Sequence, residues 1–214
     1  FGQGRADGTS AMKEILGGKG AGLAEMTNLG IPVPPGFTIA STVCGTYLAM
    51  HQFPPRLKAQ VEASLQRVEA ATGKQFGGAD NPLLVSVRSG AALSMPGMME
   101  TILNLGLNDE TVKGLEKLSG NAGFAWDSYR RFVQMYGGVV FDVPKKRFEE
   151  RLEARKNRLG AARDIDLPVA EFQALVREYK DLIKADTGKP FPEDPIDQLW
   201  GAIAAVFESW NTRR

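Results

Sequence analysis

Apolar residues recur at a spacing of about 3.6 over most of this chain, which predicts a largely helical protein. The clearest case is residues 168–186, where apolar side chains share one helix face. Spacing of this kind, with helix-start and helix-stop residues, predicts helices at 17–29, 41–51, 55–71, 109–118, 121–136, 145–159 and 168–186, and a last helix from about 196.

Alternation of apolar and polar residues, which is typical of strands, is confined to the first half of the chain. It occurs in "LLVSVRS" (83–89), in "ETILNLGL" (100–107) and over the short stretch "FTIA" (37–40). The first two segments are joined by "GAALSMPGMM" (90–99), a long loop. Long loops in compact domains are often functional.

The separation of strands from helices predicts an α+β fold with three parts. Residues 1–107 form an α/β part, and residues 108–194 form a helical subdomain. Residues 195–214 are predicted to return to the first part, because an apolar helix needs a surface to cover.

The composition is that of an ordinary globular protein, with 43% hydrophobic and 24% charged residues and a formal net charge of +1. That charge gives no electrostatic reason to expect nucleic acid or membrane as a partner. No apolar run reaches the roughly 18 residues of a membrane span. The single cysteine, Cys44, cannot form an internal disulfide, and we expect a reducing, cytoplasmic location. One histidine and one cysteine also give no zinc site.

The segment "LGGKGAGLAEM" (16–26) surrounds Lys19 with glycines just before a helical pattern. It is not a Walker P-loop, because Lys13 stands where the first glycine belongs and neither Ser nor Thr follows Lys19. Glycines nevertheless allow backbone N–H groups to approach an anion at a helix N-terminus. The pattern is equally compatible with a flexible helix start and a solvated lysine.

Two further places could bind phosphate or a nucleotide. Arg88 follows a predicted buried strand, and its planar guanidinium suits phosphate oxygens, although a surface or salt-bridged arginine has the same pattern. In the loop that follows, Gly97 would permit close backbone approach and Thr101 offers a hydroxyl. A hydrophobic loop packed on a neighbouring domain is the alternative. His51 lies beside "QFPP" and is assigned a structural or surface role.

Four segments together resemble the N-terminal nucleotide-binding domain of the pyruvate phosphate dikinase family. They are "LGGKGAGLAEMTNLGIPVPPGFTI", "VSVRSGAALSMPGMMETILNLGLND", "WDSYRRFVQMYGGVV" and "AVFESWNTRR". The resemblance implies part of an ATP-grasp domain with an inserted helical subdomain. It also implies that Lys19 and Arg88 contact ATP phosphates and that Gly97 and Thr101 contact the nucleotide.

Enzymes of that family convert ATP, phosphate and pyruvate to AMP, pyrophosphate and phosphoenolpyruvate through a phosphohistidine. His51 is not in the family's phosphohistidine setting, so the resemblance places that histidine and the pyruvate-binding domain outside this chain. It also places the Mg²⁺ ligands outside the chain and implies a homodimeric full-length enzyme. We therefore expect these residues alone to bind ATP weakly and to be inactive.

Two alternatives remain open. A phosphoenolpyruvate synthase-like dikinase would share the same segments but would use water as its second acceptor. A non-catalytic nucleotide-binding module would share the fold without any turnover.

Overall fold

The structure is a computed structural model that describes residues 1–90 and 101–211. The strands are β1 Gln75–Phe76, β2 Pro82–Leu83, β3 Val85–Arg88 and β4 Thr101–Leu105. The helices are α1 Lys13–Asn28, α2 Ser41–Met50, α3 Leu57–Thr72, α4 Thr111–Ser119, α5 Ala122–Val140, α6 Lys145–Leu159, α7 Val169–Thr187 and α8 Pro195–Glu208.

The strands form two small sheets. β1 and β2 pair in parallel, with Gln75 opposite Pro82 and Phe76 opposite Leu83, and β3 pairs with β4. Helices and small sheets in one chain confirm the α+β class. None of the helices in the described ranges is long and apolar enough to cross a membrane.

Every helix predicted from apolar spacing is present, and α6 has the predicted limits. The predicted strand at 37–40 is wrong. Phe1 and Gly36 exchange two backbone hydrogen bonds, of 2.9 and 3.0 Å. No ladder continues over 37–40 in the described part of the chain, and without a ladder an extended segment does not become a strand.

The packing of the chain divides it into two compact units. Of the described residues, unit 1 contains 1–74, 88–90 and 206–211, and unit 2 contains 75–87 and 101–205. The three-part division at 107 and 194 stays a prediction.

Unit 1 is built on α1, α2 and α3, together with the end of α8. The buried face of α3 consists of Leu57, Val61, Leu65 and Val68, the stripe that apolar spacing indicates. The ring of Phe207 lies 5.4 Å from that of Tyr47, centre to centre. Residues from the end of the chain therefore contribute to this core.

Unit 2 is a helical core around α5, which contacts α4, α6, α7 and β4. Its largest buried side chains are aromatic, and Phe132, Tyr136 and Phe191 meet edge to face at 5.5–5.7 Å between ring centres. This geometry is the one that aromatic quadrupoles favour. Burial raises the pKa of the Tyr136 phenol, which keeps it neutral.

A fully buried glutamine fixes the end of β4. Gln198 Oε1 accepts a hydrogen bond from the backbone N–H of Gly106 at 2.9 Å, and Nε2 donates to the carbonyls of Leu107 and Pro192, each at 2.9 Å. Gln198 is 0% exposed. The Gln198 side chain thus forms hydrogen bonds with backbone groups at the end of β4. Because this place is buried, bulk water does not reach these groups.

Ion pairs connect α6 to α7 on the surface of unit 2. Arg155 pairs with both Glu171 and Glu178, the latter at 2.7 Å, and Arg158 reaches Glu171 at 2.9 Å. The hydrogen bond from Arg155 is the main cause that lowers the pKa of Glu171 below its ordinary value. Networks of this kind are more favourable than isolated surface pairs, because the side chains are already ordered.

We expect Gln198→Leu to lower the free energy of unfolding by about 3 kcal/mol, because it leaves buried backbone groups at Gly106 and Leu107 without partners. Urea denaturation followed by circular dichroism measures this loss. Gln66→Leu, at an exposed position of α3, is the control and should change stability by no more than about 0.5 kcal/mol. Equal losses in the two variants would contradict the role given to Gln198.

We also expect Glu171 to make stability depend on pH. Its pKa is lower in the folded chain than in the unfolded chain, so its contribution is complete at neutral pH and is lost as pH falls through the lowered pKa. The stability gap between the wild type and Glu171→Gln should therefore shrink from about pH 7 to about pH 3. Glu150→Gln, on an exposed part of α6, is the control. A gap that is constant over this range would refute the assignment.

Candidate functional site

The glycine-rich segment forms a kink inside α1. Gly17 has φ 69° and ψ 169°, which no helical residue adopts, and helical geometry resumes at the next residue. Glycine is required there because other residues are strained at positive φ. The kink gives the second part of α1, residues 18–28, an N-terminus of its own.

The kink also permits close approach of two backbones within unit 1. A Cβ atom at Gly17 would overlap the carbonyl group of Gly90, and a Cβ atom at Gly90 would lie 3.4 Å from the carbonyl oxygen of Leu16. The segment around Lys19 and the segment that follows β3 are therefore in direct contact. Each candidate cation, Lys19 and Arg88, is two residues from this contact.

Lys19 is exposed and lies in the first turn after the kink. Among the described residues it forms no ion pair with an acidic side chain. A cation at a helix N-terminus opposes the helix dipole, at a cost of about 0.3–1 kcal/mol. An unpaired lysine in this place is therefore better suited to an anionic ligand than to stabilising its own helix.

Arg88 is the last residue of β3, and its side chain is exposed. Within residues 1–90 and 101–211 it has no acidic partner either. The regular strand holds its backbone, and its guanidinium is exposed. Two cations that lack acidic partners in the described part of the chain thus flank the contact between Gly17 and Gly90.

Ser89, the residue after Arg88, is almost completely buried, at 1% exposure. Its hydroxyl oxygen accepts a hydrogen bond of 2.9 Å from Nε1 of Trp210. Trp210 is 38% exposed, and its indole makes this polar contact. Neither residue carried a sequence signal beyond its position beside Arg88 or at the end of a helical pattern.

Three further residues have roles predicted from the sequence: Gly97, Thr101 and His51. Gly97 lies outside the described residues. Thr101 is half-buried and begins β4, in which Ile102 and Leu105 are fully buried. His51 is an exposed residue that ends α2 at φ 50°.

Cys44 is buried in α2, and burial raises the pKa of its thiol to about 11. Its Sγ donates to the carbonyl of Phe207 at 3.8 Å. A thiol that stays protonated is a poor nucleophile. The structure therefore gives Cys44 a packing role.

A cavity of about 660 Å³ in unit 1 borders another face of α1. Leu16, Gly20 and Ala24 line it, whereas Lys19 and Arg88 do not. Its volume is within the usual range for ligand pockets, but its lining does not include the two unpaired cations. We therefore do not place the phosphate groups in this cavity.

The residues in the described ranges contain no cluster of three or more His, Cys, Asp or Glu side chains that could hold a metal ion. The expectation that the Mg²⁺ ligands lie outside this chain stays a prediction. The chemistry that these residues support is the binding of an anion by Lys19, Arg88 and backbone N–H groups.

Similarity to known proteins identifies the family of this chain. The family model of the pyruvate phosphate dikinase AMP/ATP-binding domain matches residues 13–54 and 49–214. This chain belongs to that family.

Full-length relatives share about half of the residues of this AMP/ATP-binding domain. Pyruvate, phosphate dikinase of Rhizobium meliloti (strain 1021) is 54% identical over 215 residues, covering 100% of this chain and 24% of the relative. The protein of that name from Clostridium symbiosum is 48% identical over 210 residues, covering 97% of this chain and 24% of the relative. The chain thus spans about a quarter of the length of the relatives that it matches.

A third relative, pyruvate, phosphate dikinase 1, chloroplastic, of Zea mays, is 50% identical over 215 residues, covering 100% of this chain and 23% of the relative. Its name places that protein in the chloroplast. The cytoplasmic location expected for this AMP/ATP-binding domain stays a prediction.

We expect Gly17→Ala to destabilise unit 1 by about 3 kcal/mol or more, because alanine is strained at this φ and its methyl group overlaps the Gly90 carbonyl. The matched control is Gly22→Ala in the same helix, where an added Cβ meets nothing within 4 Å. Alanine should stabilise α1 there by about 0.5–1 kcal/mol. Urea denaturation of both variants measures the two effects, and equal stability would contradict the close approach.

Proposed function

We propose that this chain binds the phosphate groups of ATP through Lys19 and Arg88 and serves as the nucleotide-binding part of a pyruvate phosphate dikinase. The observation that carries the proposal is the contact of Gly17 with Gly90, which joins the two cation-bearing segments within unit 1 of a member of this family. Gly97 and Thr101 are proposed as further nucleotide contacts, on the family resemblance alone.

The arrangement suits a triphosphate for two electrostatic reasons. Lys19 and Arg88 are both exposed, and within residues 1–90 and 101–211 neither is paired with an acidic side chain that a binding anion would have to displace. The N-terminus of the second part of α1 adds partial positive charge and free backbone N–H groups.

Such a site would act mainly by stabilising charge. As a phosphoryl group moves from ATP, negative charge develops on its oxygens, and fixed cations lower the barrier when they are already in place. Lys19 would act as a point charge, while the planar guanidinium of Arg88 can bind two oxygens at once. Neither residue would exchange a proton with the substrate.

The remaining parts of the proposal lie outside this chain. Mg²⁺ would reduce repulsion between phosphate groups, and in this proposal its ligands lie elsewhere in the full-length protein. The ATP-grasp assignment, the phosphohistidine domain, the pyruvate-binding domain and the homodimer also belong to the proposal. The relatives, about four times as long as this chain, provide room for such domains.

In the intact protein that contains these residues, we expect Lys19→Ala or Arg88→Ala to lower the rate of ATP-dependent phosphorylation by about 10²–10³-fold, which corresponds to about 2.7–4 kcal/mol of lost charge stabilisation. Incorporation of the terminal phosphates of labelled ATP measures this rate. The pyruvate half-reaction should be unchanged, because it does not use this site.

Lys13→Ala is the control for these variants, since Lys13 is an exposed lysine of α1 that precedes the kink. It should leave the rate within about twofold of the wild type. Normal ATP turnover in both site variants would reject the proposal. Release of pyrophosphate that requires added phosphate would support the phosphate dikinase reaction, and release of free phosphate in place of pyrophosphate would favour the water-using alternative.

A further inference from the structure

We propose that Trp210 is a positioning residue for Arg88 and acts through its hydrogen bond to Ser89. This inference rests on the proposed function, because it concerns the arginine that we assign to the phosphates of ATP. Trp210 itself is not proposed to touch the nucleotide.

The hydrogen bond is placed where it can control the backbone next to Arg88. Nε1 of Trp210 donates to Oγ of Ser89 at 2.9 Å, and Ser89 is 1% exposed. A buried hydroxyl that loses its hydrogen-bond partner is not hydrated instead, so the loss costs free energy. The bond to the indole therefore holds Ser89 in place. The residue that precedes Ser89 in the chain is Arg88.

Trp210 is in turn held by the end of α8 within unit 1. Its backbone N–H donates to the carbonyl of Phe207 at 3.2 Å. The ring of Phe207 packs on those of Tyr47 and Phe53, and the hydroxyl of Tyr47 bonds to Glu208 at 3.1 Å. Trp210 is therefore anchored to the end of α8, which is itself packed against α2 through Tyr47.

The other side of the same short segment is fixed by the glycine contact. The carbonyl of Gly90 packs so close to Gly17 that a Cβ atom on Gly17 would overlap it. Residues 88–90 are thus held by Trp210 through Ser89 and by the kink of α1 through Gly90. A catalytic arginine needs such support, because an error of about 1 Å in its position can cost 10²-fold in rate.

The test uses Trp210→Phe in the intact protein, because phenylalanine keeps an aromatic ring and removes only the N–H donor. The Michaelis constant for ATP should rise about tenfold, while the constant for pyruvate should stay unchanged. A general loss of stability would not produce this split between the two substrates. The matched control is Trp126→Phe, which removes a similar bond, of 3.2 Å to Glu116, inside unit 2.

A second variant keeps the inference testable if Trp210→Phe does not fold. Ser89→Ala removes the same hydrogen bond from the other side and should raise the Michaelis constant for ATP by a similar factor. The double variant should be no worse than either single one, because both remove one interaction. Additive effects of the two substitutions would overturn the inference.

The outcomes separate this inference from the proposed function. If Arg88→Ala weakens ATP use while Trp210→Phe and Ser89→Ala do not, the positioning role is wrong and the proposed function stands. If Arg88→Ala leaves ATP use unchanged, the proposed function fails and the positioning role fails with it. If all three weaken it and Trp126→Phe does not, the positioning role is supported.

Discussion

The candidate site depends on one steric constraint, the contact of two backbones at Gly17 and Gly90. Gly17 cannot carry a side chain, because a Cβ atom there would overlap the Gly90 carbonyl, whereas a Cβ atom at Gly90 would lie 3.4 Å from the carbonyl oxygen of Leu16. The positive φ of Gly17 both breaks α1 and turns its second part so that a new N-terminus begins beside Lys19. Glycine at position 17 therefore permits the kink in α1, the close approach to Gly90 and the helix N-terminus beside Lys19.

The charges around this contact differ from those on the helical surface of unit 2. On α6 and α7, arginines pair with glutamates in a network, and these ion pairs stabilise the packing of the two helices. Lys19 and Arg88 have no acidic partners among the described residues, although both are near the surface. In a chain with a net charge of only +1, unpaired cations on two contacting segments give a local preference for anions that total charge does not reveal.

Buried polar side chains have a comparable organising role in each unit. In unit 2, Gln198 satisfies backbone groups at the end of β4 and so ends that strand without a cost in unsatisfied hydrogen bonds. In unit 1, Ser89 is held by Trp210 directly after β3. Both are long-range interactions, between residues about 90 or more positions apart, and both lie just after the end of a strand.

The amino-acid sequence alone determined the helices, including the limits of α6 and the buried stripe of α3, because apolar periodicity is a local property that packing preserves. It also indicated Lys19 and Arg88, since glycines around a lysine and an arginine after a strand are visible in the residues themselves. Tertiary structure decided the rest. The strand expected at 37–40 is absent because a strand needs a ladder partner, and the roles of Ser89, Gly90 and Trp210 depend on contacts between distant residues, which no local pattern encodes.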